Sequence, residues 1–390
     1  MSVVPQGADV GAEMAMKGAR AGARAGRRPL RVLIAAGATG GHIFPALAVA
    51  EELRSRWAED PGSAACMIEF VGTVRGLESR VISKAGFPLH TVPAAGLKRI
   101  GGFQKVRNLL VLPRSFWKTW GLLWSFKPQV VVGVGGYVAG PVMLEASLLR
   151  IPTLLIEPNA QPGFTNRVLA PFIRMAALGF KEAAPFYGPK ARVTGHPVRR
   201  VFSRIPPREH VPPFTILILG GSQGARTLNS VLIEALPSFA HEGMRWRIIH
   251  QSGERDYARV RQAYEESGVR GEVHPFIDDV PQVLSQADLV VCRAGASTLA
   301  ELMAAGKASL LVPFPAAADD HQLVNAQVLE REGAARLLEQ RYLTPESLFS
   351  EVRMLSSQPE TITKMDRKAR ELSHPNAAQE IADLIEGLAR

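Results

Sequence analysis

The sequence predicts an α/β protein of two doubly wound domains, and two observations carry that prediction. A short apolar run, Leu30-Arg31-Val32-Leu33-Ile34-Ala35-Ala36, leads into Gly37-Ala38-Thr39-Gly40-Gly41-His42 and an apolar-faced helix; Thr215-Ile216-Leu217-Ile218-Leu219 leads into Gly220-Gly221-Ser222-Gln223-Gly224 and another. After each unit, apolar runs of strand length alternate with helical patterns, the mark of parallel sheets covered on both faces. Each glycine turn sets a ring of backbone amides at a helix N-terminus, where unpaired N–H groups and the macrodipole attract phosphate. Two such units imply Rossmann-like domains, a central cleft and a nucleotide-using enzyme.

Taken in order, strands are expected at 30–36, 67–71, 89–92, 130–134, 153–156 and 175–178. Pro45 suits the first turn of the helix ending near Trp57, where its missing donor is harmless, and Pro141 suits the next glycine-rich turn in the same way. Composition then changes: residues 195–213 hold Pro197, Pro206, Pro207, Pro212 and Pro213 with several arginines and little periodicity, which reads as a linker. Strands resume at 214–219, 247–250, 273–276, 289–292, 309–312 and 335–338. After Thr344-Pro345-Glu346, an N-cap with its first turn, helices are expected at 346–355, 361–372 and 377–388. The domain reading is therefore 1–28 a basic extension, 29–194 a first domain, 195–213 the linker, 214–372 a second domain, and 373–390 a terminal helix that can pack back on the first domain.

The chain has 390 residues, 46% hydrophobic and 21% charged, which is ordinary globular composition. Cys66 and Cys292 lie in separate apolar runs and read as buried thiols. No stretch reaches the ~18 uncharged apolar residues of a spanning helix. The first 28 residues carry five cations but lack the compact apolar segment of a secretory signal. The formal charge of +10 calls for an anionic partner. Between Ser79 and Leu144 no acidic residue occurs, while nine lysines and arginines alternate with Phe103, Phe116, Trp117, Trp120, Trp124 and Phe126. Cations mixed with indoles suit an anionic membrane face; no nucleic-acid module accompanies the charge. Within that stretch, residues 97–112, with Gly101 and Gly102, are the expected lipid-facing part, and two readings stay open for 113–126: an indole face buried on a sheet, or one left for lipid.

His42 stands at the junction of glycine loop and helix, at the carboxyl end of the first strand, where open α/β sheets bind ligands. A neutral imidazole there is suited to take a proton from an alcohol, and helix capping is the alternative role. The loop lacks the third glycine of a dinucleotide fingerprint, and residues 67–71 end without an acidic residue, which argues against a nicotinamide enzyme. Metal and cofactor chemistry are not expected: there is no Asp-x-Asp, no paired histidine at helical spacing and no cysteine cluster.

Five segments in fixed order carry a resemblance: Gly37 to Pro45; Gly133-Val134-Gly135-Gly136-Tyr137-Val138-Ala139-Gly140-Pro141; Glu157-Pro158-Asn159; Gly220 to Ala225; and Arg293-Ala294-Gly295-Ala296-Ser297-Thr298 through Glu301. Together they resemble the N-acetylglucosaminyltransferase family of peptidoglycan synthesis that makes lipid II. The resemblance implies a GT-B fold, with the lipid acceptor on the first domain and UDP-N-acetylglucosamine on the second. It implies inverting transfer to the 4-hydroxyl of the muramyl sugar of undecaprenyl-pyrophosphoryl-muramyl-pentapeptide, at the cytoplasmic face of the bacterial inner membrane. A diacylglycerol glycosyltransferase of the same architecture is the nearest rival. The implied base is His42, with Glu157 its competitor. Thr39, Gly40 and Gly41 accompany His42, and Asn159 contacts donor sugar or acceptor. Ser222 and Gln223 with the glycine amides, and Arg199, face the diphosphate; an interdomain salt bridge is the other role open to Arg199. Ile277 offers its backbone to uracil, or is simply core. Ala296, Ser297, Thr298, Leu299 and Ala300 lie near diphosphate and sugar, Glu301 takes the ribose hydroxyls, and Gln322 reads the donor sugar. His196 stands where the family has asparagine.

Overall fold

The computed structural model describes residues 29–37, 40–58, 65–73, 78–93, 112–221 and 224–390. Thr39, Ser222, Gln223, the 1–28 extension and all but the last residue of the 97–112 run lie outside them. The strands are β1 Leu30–Ala35, β2 Cys66–Gly72, β3 Leu89–Thr91, β4 Val130–Gly133, β5 Thr153–Glu157, β6 Met175–Leu178, β7 Ala191–Val193, β8 Phe214–Leu219, β9 Trp246–Gln251, β10 Gly271–His274, β11 Leu289–Cys292, β12 Ser309–Leu311 and β13 Ala335–Leu337. The α-helices are α1 Gly40–Ala58, α2 Glu78–Lys84, α3 Leu112–Phe126, α4 Gly136–Leu148, α5 Phe164–Leu169, α6 Arg226–His241, α7 Tyr257–Ser267, α8 Val280–Gln286, α9 Ala296–Ala305, α10 His321–Arg331, α11 Pro345–Ser356, α12 Pro359–Glu371 and α13 Ala377–Leu388.

Two sheets form, in the orders β3-β2-β1-β4-β5-β6-β7 and β10-β9-β8-β11-β12-β13. In each, the order reverses beside the strand that feeds a glycine turn: β1 pairs in parallel with β2 and β4, and β8 with β9 and β11. That reversal is where a doubly wound sheet leaves room for a ligand beyond its strand ends. Strand alternation builds the second core directly. Leu217, Leu219, Val290, Cys292 and Leu311 pack with Leu299, Leu302 and Leu329. Their neighbours Ile216, Ile218, Val291 and Leu310 pack on the other face with Leu228, Leu232, Leu348 and Val352.

The chain divides into two compact units, one containing the described residues up to Leu155 with Phe172–Arg174 and Gln379–Arg390, the other Ile156–Pro171 with Met175–Ala378. The proline-rich stretch 195–213 is part of the second unit. Phe202 is fully buried, Arg370 donates to the Ile205 carbonyl (2.9 Å), Arg208 donates to Asp288 (2.9 Å), and His210 lies between Asp288 (3.0 Å) and Asp366 (3.2 Å). Its prolines give an irregular path, not a free one. In the first unit, Arg56 on α1 donates to Asp383 (2.6 Å) and to the Gln379 carbonyl (2.8 Å), tying down α13.

Two local expectations change. Both glycine-led helices start earlier than their prolines suggested, so Pro45 and Pro141 sit inside α1 and α4 beyond the first turn. Each therefore removes one intrahelical donor, that to the carbonyl four residues before it. On α3, Ser115, Thr119, Leu123 and Phe126 turn inward, while Trp117, Trp120 and Trp124 are 80%, 47% and 72% exposed. The indole face is thus not buried on a sheet.

Candidate active site

In the first unit, β1 and β4 are neighbours with Ala35 beside Gly133, so α1 and α4 begin side by side at the carboxyl edge of the sheet. Their turns touch. Gly136 has φ +80°, and a Cβ there would stand 3.0 Å from the Gly37 carbonyl oxygen and 3.7 Å from His42 Nδ1. His42 Nδ1 lies 3.2 Å from that same carbonyl. A carbonyl only accepts, so Nδ1 carries the proton and the ring's lone pair is on Nε2. His42 is half-buried, and this tautomer is the one a proton acceptor needs.

In the second unit the turns after β8 and β11 open at the matching reversal. Gly224 N donates to the Gly221 carbonyl (3.0 Å). The N-cap of α9 is Gly295, which has no side chain to cap the helix, and Leu299 N already donates to Gly295 O (3.0 Å). The amides of Ala296, Ser297 and Thr298 are thus the ones left for an anion. Leu299, expected to add a fourth, does not, because its N–H closes the first turn; Leu299 and Ala300 face the core. His196 Nε2 lies 3.1 Å from Ser297 Oγ. Glu301 follows one turn on; burial pushes its carboxyl up to about 7 against the pull of Arg199, an exposed guanidinium that also lies over the Phe202 ring at 5.1 Å. Ile277 is buried, and its N–H is taken by Gln251 Oε1 (3.1 Å).

Glu157 is wholly enclosed in the second unit. Its Oε1 accepts from Asn159 N (3.0 Å) and Asn159 Nδ2 (3.2 Å), and its Oε2 from Asn166 Nδ2 (2.7 Å) and Tyr187 Oη (3.4 Å). Burial raises the carboxyl and these donors lower it, leaving it at about 7. Asn159 Oδ1 in turn accepts from Asn325 Nδ2 (3.1 Å), and Asn325 Oδ1 accepts from Ala160 N (2.9 Å). Gln322 Oε1 accepts from Phe314 N (2.9 Å), which folds the β12–α10 loop onto the start of α10. Asp319 and Asp320 hold left-handed φ values of 54° and 52° in that loop.

Sequence reasoning missed Asn166, Tyr187 and Gln251. Each is a single polar residue in ordinary surroundings, and no motif marks it. Among the described residues, no cluster of three or more His, Cys, Asp or Glu could hold a metal ion.

Comparison with known proteins decides the family. Residues 32–178 match the glycosyltransferase family 28 N-terminal domain and residues 215–382 its C-terminal domain. The chain belongs to glycosyltransferase family 28. Within family 28 it is 45% identical over 358 residues, 91% of this chain and 92% of the relative, to a Myxococcus xanthus protein. It is 47% identical to one from Anaeromyxobacter sp., over 93% of this chain and 94% of that one. Both are named UDP-N-acetylglucosamine–N-acetylmuramyl-(pentapeptide) pyrophosphoryl-undecaprenol N-acetylglucosamine transferase. The crystal structure of Acinetobacter baumannii MurG superposes with a TM-score of 0.75 at 33% identity, covering 92% of this chain and 99% of that one. An Anabaena structure with UDP and glucose shares the fold at 13% identity and a TM-score of 0.58. The family 28 match and the MurG neighbour agree with two Rossmann-like domains in the GT-B arrangement.

Proposed function

We propose that this protein transfers N-acetylglucosamine from its UDP donor to the 4-hydroxyl of the muramyl sugar in undecaprenyl-pyrophosphoryl-muramyl-pentapeptide, inverting the anomeric centre from α to β. The observation that carries this is near-full-length identity of 45–47% to proteins named for that reaction. In the step, the acceptor oxygen forms a bond to C1 as the C1–O bond to UDP breaks; the hydroxyl proton passes to the base and the electron pair leaves with the diphosphate.

His42 is the base, favoured by its Nδ1–H tautomer. Glu157 is the weaker candidate, because four donors occupy an unexposed carboxylate that orients Asn159. The leaving diphosphate meets the amides of Ala296 to Thr298, the Gly221–Gly224 turn with Ser222 and Gln223, and Arg199. Glu301 takes the ribose hydroxyls, the Ile277 peptide faces uracil, and Gln322 and Asn159 read the sugar. Thr39, Gly40 and Gly41 hold the acceptor side near His42.

The protein sits on the cytoplasmic face of the inner membrane as a peripheral protein. The exposed indoles of α3, with exposed Arg114 and Lys118 on the same helix, support contact with anionic lipid. No helix among the described residues is long and apolar enough to cross a membrane.

The test is transfer of radiolabelled N-acetylglucosamine from the UDP donor to a synthetic undecaprenyl-type muramyl acceptor, in excess chelator, beside diacylglycerol. Label on the muramyl acceptor alone supports the reading. Label on diacylglycerol, or on neither lipid, refutes it.

A further inference from the structure

We infer that Gln251 is a positioning residue for nucleobase selectivity, holding the Ile277 peptide at a fixed offset from the Gly221 turn. This rests on the donor-site reading above. Gln251 ends β9 and is buried; its Nε2 donates to the Gly221 carbonyl (2.8 Å) and its Oε1 accepts from Ile277 N (3.1 Å). One side chain thus joins the turn assigned to the diphosphate to the peptide assigned to uracil, the two ends of the same nucleotide.

A carboxamide suits this bridge for a simple reason. At this length it carries a donor and an acceptor together, whereas a carboxylate only accepts and a thioether donates nothing and accepts only weakly. The partners also fix which end is which, since a carbonyl must meet the NH₂ and an N–H must meet the oxygen. The strand end beneath is pinned as well. Ser252 N donates to His274 O (3.0 Å), and Asn229 Nδ2 donates to Ser252 O (2.8 Å).

The bridge has a chemical consequence at the base. With its N–H turned inward, Ile277 keeps its carbonyl, which takes no main-chain donor among the described residues. An acceptor there pairs with the N3–H of uracil and repels the bare N3 of cytosine, so selectivity follows from which half of the peptide Gln251 consumes.

The experiment titrates UDP and CDP into the full-length wild type, Gln251→Met and Gln251→Glu at about pH 8 and about pH 6, with kcat measured at saturating donor. Gln251→Met is expected to lose about tenfold or more in UDP affinity, with a reduced UDP-to-CDP ratio and kcat within about threefold of wild type. Gln251→Glu is expected to be weak at the higher pH and to recover at the lower, where a protonated carboxyl regains one donor and one acceptor. Unchanged affinity and base ratio in both variants, or a fall in kcat with KM unmoved, overturns the inference. A wild-type measurement stands apart from variant folding: the Ile277 amide should be protected from hydrogen exchange before UDP is added, and rapid exchange there overturns the bridge. Failure of the wild type to bind UDP overturns the donor-site reading instead, while Ile277 exchange still reports on the bridge.

Discussion

Gly221 and Gly224 both adopt left-handed backbone, with φ of +78° and +75°, yet a methyl group would meet very different surroundings. At Gly221 a Cβ finds nothing within 4 Å, so Gly221→Ala costs only the left-handed penalty of roughly 1–2 kcal/mol. At Gly224 a Cβ would come within 2.3 Å of the Ser252 carbonyl oxygen, which is main chain and already accepts from Asn229 Nδ2 at 2.8 Å. Relief must displace that carbonyl from a buried hydrogen bond, adding about 1–3 kcal/mol. Gly224→Ala should therefore cost about 2–5 kcal/mol in all, spent either on the stability of the second unit or on the loop shape proposed to receive the diphosphate. Calorimetric titration with UDP, paired with thermal scans, reads both channels. The expected result is at least about tenfold greater loss of UDP affinity, or a clearly lower melting temperature, for Gly224→Ala than for Gly221→Ala. Equal effects, or a silent Gly224→Ala, would refute the steric reasoning.

His42→Ala should cut kcat by roughly 10²- to 10⁴-fold with UDP affinity unchanged, as single-turnover transfer and titration would show; unaltered kcat would move the base role to Glu157. If Glu301 holds the ribose as proposed, then, because burial lifts its carboxyl to about 7, donor KM should rise as pH falls through that value, where a protonated acid accepts hydroxyls poorly; Glu301→Gln should flatten the profile. Trp117→Ser with Trp124→Ser should weaken sedimentation with anionic vesicles about tenfold or more, leaving transfer to a detergent-soluble short-chain acceptor intact. Burial lowers the His210 imidazole, but Asp288 and Asp366 outweigh it and carry it up to about 9. Its stabilisation, roughly 3 kcal/mol, is fully present below about pH 6.5 and is lost as pH rises through about 9, so melting temperature should fall over that window and Gln in place of His210 should abolish the fall.

How much of this was legible follows from what each feature leaves in the sequence. A strand buried on both faces is a continuous apolar run, and β8 Phe214–Leu219 and β11 Leu289–Cys292 have the bounds that such runs mark. β7 Ala191–Val193 was missed because three residues containing an arginine make no apolar run. Proline content cannot distinguish a docked irregular segment from a free linker; the difference lies in Arg370, Asp288 and Asp366, contributed from far along the chain. The Trp face of α3 was ambiguous because Ser115 and Thr119, not its largest apolar groups, point inward. At the site, glycine turns declare themselves because few other residues tolerate their backbone, and His42 stands beside one. The surroundings of Glu157 and the Gln251 bridge are written in tertiary contacts, which no spacing rule encodes.

The docking of α13 bears on how the molecule is made. Ile381, Ala382 and Ile385 are fully buried, and residues 379–390 count with the first unit although the chain reaches them only after finishing the second. During synthesis the early lobe must wait, one helix short, until residues 379–390 have left the ribosome, and a fragment cut after residue 194 would expose the seat that α13 fills. Splitting the halves for separate expression calls for grafting that helix back onto the leading fragment.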